Sequence, residues 1–600
     1  MRQQVCKNKS WKKRVVAGGM AICMACTMPF SVQAENVTEE YNVQENYSAE
    51  SAAENVSEEK SEVQSYDIET AKTVNQEDSA AQEPSKEEVQ LSLQLVAVEE
   101  TDTTTPTLRL DAAGELSDKI NVKGNKIEVT DGEGLILLSN VKPEDYADYA
   151  IELITTTGWD LTQPVALNGT SYKFLGLGDE TNPYEGVFGL DQGTAATQYS
   201  IATSRSLFNA LSTKAKLGTI PFCISESTPS MQEPLLAGTL KKGEVDGTLT
   251  GKIVLRDLNS DKISNAVIGG LIGTMEDGTS ATLTFENQFT KELTIRTSSH
   301  TGLFCNTMDK NTSLTAEFEK VEATEAGMDA GGFVGYMEPG AGLTIAGSSV
   351  DQVASDSGNA GGLVGSATDG SIQRKEQTTA FSFADTLTVK AGSTSAAGGL
   401  IGSWLVTKEN AVSCDLSNYQ FKKLVISGGQ DVGGLVGVLK NTSTGRAAIS
   451  ISATTVTSEV SGAVTNFGGI IGTYQSEQMN NTLTIKGESD NVIGASTSGG
   501  ANVSTSYGGI IGAISGSSYV EIENVSVTTS DMKKDPKASF GGLIGKMNDG
   551  LLNVGDVTLI SSNDSDLSSD ADNVDGRGGL VGHLVKGVLR MHGATDLSGQ

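Results

Sequence analysis

A five-residue string, Gly-Gly-aliphatic-aliphatic-Gly, recurs down the second half of this chain, and its recurrence restricts the fold more than any other feature. Copies start at Gly269, Gly331, Gly361, Gly398, Gly433, Gly468, Gly508, Gly541 and Gly578. After one gap of about two units, the starts are spaced by roughly 30 to 40 residues, the period of stacked-repeat architectures. A unit this short cannot bury an apolar face by itself, so neighbouring copies must cover each other.

Aligned on the last glycine, the copies show a strand. Two positions on, the residue is apolar nearly every time (Met275, Met337, Ala367, Trp404, Leu439, Tyr474, Ile514, Met547, Leu584), while the position between is mixed (Thr274, Tyr336, Ser366, Ser403, Thr473, Lys546, His583). That period of two marks one buried face. Asp277-Gly278, Asp369-Gly370 and Asp549-Gly550 then read as turns. A second strand follows, as in Ala281-Thr282-Leu283-Thr284-Phe285 and Thr482-Leu483-Thr484-Ile485. Upstream, Leu236-Ala237-Gly238 matches Leu271-Ile272-Gly273 position for position. Gly302-Leu303-Phe304-Cys305 fills the double gap, with Cys305 read in the last-glycine place. Ser206-Leu207-Phe208-Asn209 and Gly186-Val187-Phe188-Gly189 read as weaker copies, giving about eleven to thirteen units.

The glycines are read as structural: they tolerate positive φ and let a neighbouring backbone come close. The second and last of each copy are Gly270 and Gly273, Gly332 and Gly335, Gly362 and Gly365, Gly399 and Gly402, Gly434 and Gly437, Gly469 and Gly472, Gly509 and Gly512, Gly542 and Gly545, Gly579 and Gly582. Two adjacent aliphatics, such as Leu435 and Val436, cannot both face one core on a straight strand. A bend at the glycines or a loop over the outer face must resolve this, and Leu271 poses the same problem. The residue before each pair runs Ala330, Ala360, Ala397, Val432, Phe467, Tyr507, Phe540. Like sizes follow each other, which predicts a stacking ladder ending in Phe467, Tyr507 and Phe540, with side chains about 4.8 Å apart.

These strings (GGLIG, GGLVG, GGIIG) resemble the GLUG motif, a short repeat of exported bacterial surface proteins, including adhesin-like proteins and N-terminal regions of IgA-specific zinc peptidases. The resemblance covers 234–582. Upstream, Gly134-Leu135-Ile136-Leu137-Leu138-Ser139 and Trp159-Asp160-Leu161 look like the lead-in such proteins carry. It implies an all-β fold, a right-handed parallel β-solenoid, on a cell surface, and it implies no reaction. The alternative fold is a β-propeller, which closes at about 4–8 blades; this array runs past that number.

The flanks differ from the repeats. Arg2, Lys7, Lys9, Lys12, Lys13 and Arg14 precede a mostly apolar run, and Val32-Gln33-Ala34 fits a signal-peptide cleavage site, so 1–34 is read as a signal peptide and the protein as exported. With Pro29 cutting the run short, no transmembrane segment is expected after cleavage. Residues 35–106 carry 19 acidic residues against Lys60, Lys72 and Lys86, a composition expected to stay disordered as an acidic spacer. Of the net charge of −32, about half lies there, and so acidic a chain argues against a nucleic-acid partner. Residues 107–233 are assigned to an N-terminal cap with degenerate first coils, Trp159 packing on the first coil, and 234–600 to the repeats. The chain stops inside a repeat, without a capping unit or cell-wall sorting signal, and the biological protein is expected to be longer.

Catalytic patterns are missing from the sequence. His300, His583 and His592 are the only histidines; His300 and His583 read as solvated surface residues. There is no His-Glu-x-x-His zinc signature and no Gly-x-Ser-x-Gly elbow with credible partners. Asp564, Asp566, Asp570, Asp572 and Asp575 form an oxygen-rich stretch, but Val574 and Asp575 break the calcium-loop pattern, and it reads as a solvated turn. Cys223, Cys305 and Cys414 remain after cleavage, odd in number and far apart, so no disulfide framework is implied. No cofactor is expected. The chain reads as a non-enzymatic, adhesin-like binding or structural stalk whose surface ligand is a host glycan or protein or a cell-wall component. The alternatives are a carbohydrate-active β-helix enzyme, or the stalk of a larger peptidase with a catalytic domain beyond 600.

Overall fold

The computed structural model describes residues 108–110 and 119–599, except 155–158, 191–199, 225, 227–228, 245, 257–262, 319–320, 348–349, 376–380, 384–385, 410–415, 417–418, 445–447, 453–454, 488–492, 499–501, 530–537 and 562–575. The segments read as signal peptide and acidic spacer, Cys414 and the aspartates at 564–575 thus lie outside the described residues.

Period-two stretches become strands, and the strands pair between coils. In Ser280–Asn287, Ala281, Leu283 and Phe285 are buried while Thr282 is exposed. The motif strands, from Phe208–Ser212 to Val581–Leu584, build one parallel sheet of twelve. The sequence step between paired positions is shortest from Phe208 to Ala237 and from Cys305 to Val334, and longest from Ile471 to Ile511. Register is kept across this sheet, so the length variation is absorbed outside it. The strand after the turn, such as Ser280–Asn287, enters a second sheet, and the next, such as Glu292–Thr297, a third. A short fourth strand, first seen as Ala330–Gly331, ends on the first motif glycine and forms an eight-stranded parallel sheet. The molecule is a parallel β-solenoid; a propeller would not pair equivalent strands of successive units.

Towards the last coils the second and third strands fuse into Tyr519–Thr529, Leu551–Ser561 and Val588–Gly599. Each bends at a left-handed residue: Asn524 at φ 54, Asp556 at φ 50, Gly593 at φ 74. Asn and Asp enter that region more readily than other side chains, and the Asn524 amide also donates to the Gly487 carbonyl below it (2.9 Å).

The other end is capped. An antiparallel hairpin, Ile120–Lys123 with Lys126–Val129, starts the second sheet. The seven-residue helix Gly132–Leu138 follows, its first turn held by the Asp131 carboxylate accepting from the Gly134 N–H (3.1 Å). Trp159, 1% exposed, sits on a short strand paired with Ile201–Ala202, which pairs in turn with the Lys216–Cys223 strand. Val187–Leu190, expected from the sequence as a weak motif copy, instead belongs to the second sheet, between Ala150–Leu153 and Lys216–Cys223, and is not a motif strand. The motif sheet begins with Phe208–Ser212, against which Leu177 bridges Phe208 and Tyr184 bridges Leu211.

A single hydrophobic cluster runs from Leu110 to Leu580. Leu435 and Val436 are both fully buried because the chain bends at Gly434 and Leu435, with Val436 opening the strand. Of the two solutions open to the sequence, the bend is the one used.

Candidate binding surfaces

The motif residues come together as columns. Phe467 pairs with Tyr507 and Tyr507 with Phe540; their ring centroids are 5.5 and 4.6 Å apart. Ala330, Ala360, Ala397 and Val432 continue that column downward. Leu435, Ile470, Ile510 and Leu543 form a second one, each N–H donating to the next carbonyl at 2.9 Å up to Leu543.

Close approach, rather than unusual backbone angles, explains the glycines. Among the described motif copies starting at 269–578, only Gly270 has a positive φ, 87. At Gly362, Gly399, Gly434 and Gly509 an ideal Cβ would lie 2.0–2.2 Å from the carbonyl oxygen of the equivalent glycine one coil on. A Cβ on the last glycine, as at Gly437, Gly472, Gly512, Gly545 or Gly582, would meet the last-glycine carbonyl one coil back at 2.5 Å. Real Cβ contacts do not reach such distances, so each position admits hydrogen alone. The positive-φ explanation therefore holds at Gly270 and is replaced at the second and last glycines just named by contact between coils.

The degenerate copy in the double gap sits one residue away from its expected register. Cys305 pairs with Ile272 and Val334, so it takes the second aliphatic place, and Asn306 takes the last-glycine place. Asn306 is accommodated by its amide: Oδ1 accepts from the Gly302 N–H (3.1 Å) and Nδ2 donates to the Gly269 carbonyl (3.0 Å). The signal for the correct register was the tail, Thr307-Met308-Asp309, which matches Thr274-Met275-Glu276 and Tyr336-Met337-Glu338. Cys305 is buried, and loss of solvent pushes its thiol up to about 12; Cys223, partly covered, is pushed up to about 11 for the same reason. Neither is poised as a nucleophile at neutral pH.

Among the described residues, three groups of polar side chains bear on a candidate site. A ladder on the fourth sheet links the partly exposed Asp431 and Asn466 to the buried Ser506: Asn466 Nδ2 donates to Asp431 Oδ1 (2.7 Å), the Ser506 hydroxyl donates to Asn466 Oδ1 (2.6 Å), and Thr473 of the motif strand also bonds Asp431. Lower on the same face, His300 is only partly exposed, a correction to its reading as a solvated residue. It stacks on Tyr336 (5.0 Å, 26°) and places Nδ1 3.2 Å from Asp329 Oδ2. Burial raises the Asp329 pKa, but the His300 contact and the Asn359 N–H outweigh it and hold the carboxyl below its usual value. Ser366 is bonded by Asn359 Nδ2 at 3.0 Å and lies beside Asp329 rather than the imidazole, so this cluster lacks a nucleophile–base pair. His583, like His300 only partly exposed, occupies the outward position paired with Lys546.

The third group is an acidic column. Glu276, Asp309 and Glu338 follow the in-register Met275, Met308 and Met337, so three carboxylates stack one coil apart. Burial, then the charges of Glu338, Glu276 and Asp277, raise the Asp309 pKa. A carboxyl whose folded pKa is raised binds its proton more tightly folded than unfolded, so it destabilises at neutral pH, and that penalty is relieved as pH falls through the folded value. Asp309→Asn is therefore expected to raise the thermal midpoint at pH 7 and low salt, by up to about 1 kcal/mol of stability. The gain should shrink as ionic strength screens the column and vanish at pH values where Asp309 is already protonated. A lowered midpoint at pH 7 would show that the column is not repulsive.

By the cap, a cavity of about 320 Å³ is lined by Asp131, Glu133, Ile136, Asp160, Gln163 and Val165 among others. Lys119 pairs with both Asp131 and Glu133 at its edge, so its charge is partly compensated. Among the described residues no group of three or more His, Cys, Asp or Glu is placed to hold a metal ion, and no helix is long and apolar enough to cross a membrane.

Taken together, core and columns define a parallel β-solenoid that carries a polar hydrogen-bonded ladder from coil to coil on its fourth sheet. No protein-family model, no curated protein and no solved structure matches the chain.

Proposed function

We propose that this chain is an exported, surface-associated solenoid that works as an adhesin-like binding or structural stalk and catalyses nothing itself. The observation that carries the reading is the twelve-stranded motif sheet, held in register while the length of chain between its strands varies from coil to coil. Such variation places differing loops on a constant scaffold, and in solenoids these loops usually form the binding face. The GLUG-like strings and the basic-then-apolar segment ending at Ala34 support export. The likeness to the surface-protein repeat supports a host glycan, host protein or cell-wall component as ligand.

The test has two arms. Expressed in a bacterial host, the full chain should reach the cell exterior, and a variant lacking 1–34 should stay inside; equal retention of both would end the export reading. Purified chain should bind one of three immobilised probes (sialylated or fucosylated host glycans, host extracellular-matrix protein, peptidoglycan sacculi) saturably and leave it intact. Release of shortened sugar products from polysaccharide would instead favour the carbohydrate-active alternative.

A further inference from the structure

The corner between the motif strand and the second strand is polar on its inner side, although the bore beside it is aliphatic. Asn441, Ser443, Tyr474, Ser476, Asn481 and Ser518 are all 0% exposed there. They belong to three successive coils. Asn441 pairs with Ser476 in the motif sheet, two residues beyond Leu439 and Tyr474, and Ser518 and Asn481 immediately precede the paired Tyr519 and Thr482.

Some of their bonding capacity is used locally. Asn441 Oδ1 accepts from the Ser443 N–H (3.2 Å), Asn481 Nδ2 donates to the Ser443 carbonyl (3.0 Å), and the Ser476 hydroxyl donates to the Gln478 carbonyl (3.1 Å). Four atoms remain without a protein partner in good geometry: Asn441 Nδ2, Ser443 Oγ, Tyr474 Oη and Ser518 Oγ. The Tyr474 hydroxyl lies close enough to Ser476 and Asn441 for both to lower its pKa, though neither contact makes a full hydrogen bond; burial, the larger effect, pushes the pKa up to about 12. Buried polar atoms of folded proteins are paired as a rule, by protein or by ordered water. Gly516 and Gly550 keep this corner narrow: an ideal Cβ would lie 2.0 Å from the Ser476 carbonyl at Gly516 and 2.4 Å from the Ser518 carbonyl at Gly550.

We propose that this corner is an internal water-binding site, in which ordered waters bridge Asn441 Nδ2, Ser443 Oγ, Tyr474 Oη and Ser518 Oγ along the solenoid axis. A buried water makes about three hydrogen bonds and is held where two to four polar groups converge. Both donors and acceptors are available: the amide donates, and each hydroxyl does either. The waters act as mortar between coils, because a slip of one coil would take each of them away from half of its partners.

The sign of two conservative substitutions tests this. If Tyr474 Oη and Ser443 Oγ hold water, Tyr474→Phe and Ser443→Ala each remove a ligand and lower the thermal midpoint by a few degrees. If the hydroxyls are dry and unpartnered, removing them relieves an unmet hydrogen bond, and the midpoint stays level or rises; that result overturns the proposal. A crystal structure of the chain at a resolution that orders internal water gives an independent reading. Density within hydrogen-bond distance of at least two of the four atoms is expected, and an empty corner with all four groups otherwise unchanged overturns it.

Discussion

Gly434→Val is expected to cost at least about 4 kcal/mol, in the range reserved for severe disruption. The Cβ alone would lie 2.0 Å from the Gly469 carbonyl oxygen and 2.8 Å from Val456 Cγ1. The carbonyl belongs to the next coil and has no slack to give, since the Gly434 N–H is itself bonded to the Gly468 carbonyl at 3.1 Å. Relief requires one coil to lift off another along the whole corner. Lys546→Ala, at the outward position of a motif strand, should stay within about 0.5 kcal/mol. Denaturant titration of both variants decides the matter: similar midpoint shifts would contradict the assignment of inner and outer faces.

Tyr507→Ala should lose about 3–5 kcal/mol, as expected for a large buried aromatic. Tyr507 is 3% exposed and stands between two partners, nearly parallel to Phe540 (3°) and tilted 31° from Phe467. Phe540, partly buried, should cost less on truncation. The damage should also be local, because coils in a solenoid touch only their neighbours. Hydrogen exchange should speed up in Ala463–Gly468, Asn502–Gly508 and Ser539–Gly541, while Ala237–Lys241 and Ile272–Met275 keep their protection. Equal loss of protection from end to end would mean that stability is not nearest-neighbour.

How much of this was legible depended on whether a residue's role repeats. The ladder Phe467–Tyr507–Phe540 could be read because equivalent positions in successive copies are equivalent in space. Gly434 could be read as structural for the same reason, although its cause was split between dihedral freedom and close approach, and only the fold shows that approach dominates. Cys305 was misplaced by one residue because Gly-Leu-Phe-Cys imitates the motif locally, while the true register is fixed by Met308 three positions on. Gly186-Val187-Phe188-Gly189 failed in a similar way, its glycines serving a second-sheet strand. The left-handed bends at Asn524 and Asp556 left no trace in the repeat, since they occur only where two strands fuse. The His300–Asp329–Tyr336 contact was invisible as well: it joins residues of neighbouring coils on positions that vary from copy to copy.

Each inner strand of the motif sheet binds the equivalent strand of the coil before it and of the coil after it, and no other. A chain emerging N-terminal end first would meet its cap first, and then need only one more coil's length at a time to extend the finished part. Loop closure over such short separations is fast and entropically mild. The half-made protein would resemble a shorter version of the whole, growing at one edge, in the manner of a crystal laid down row by row.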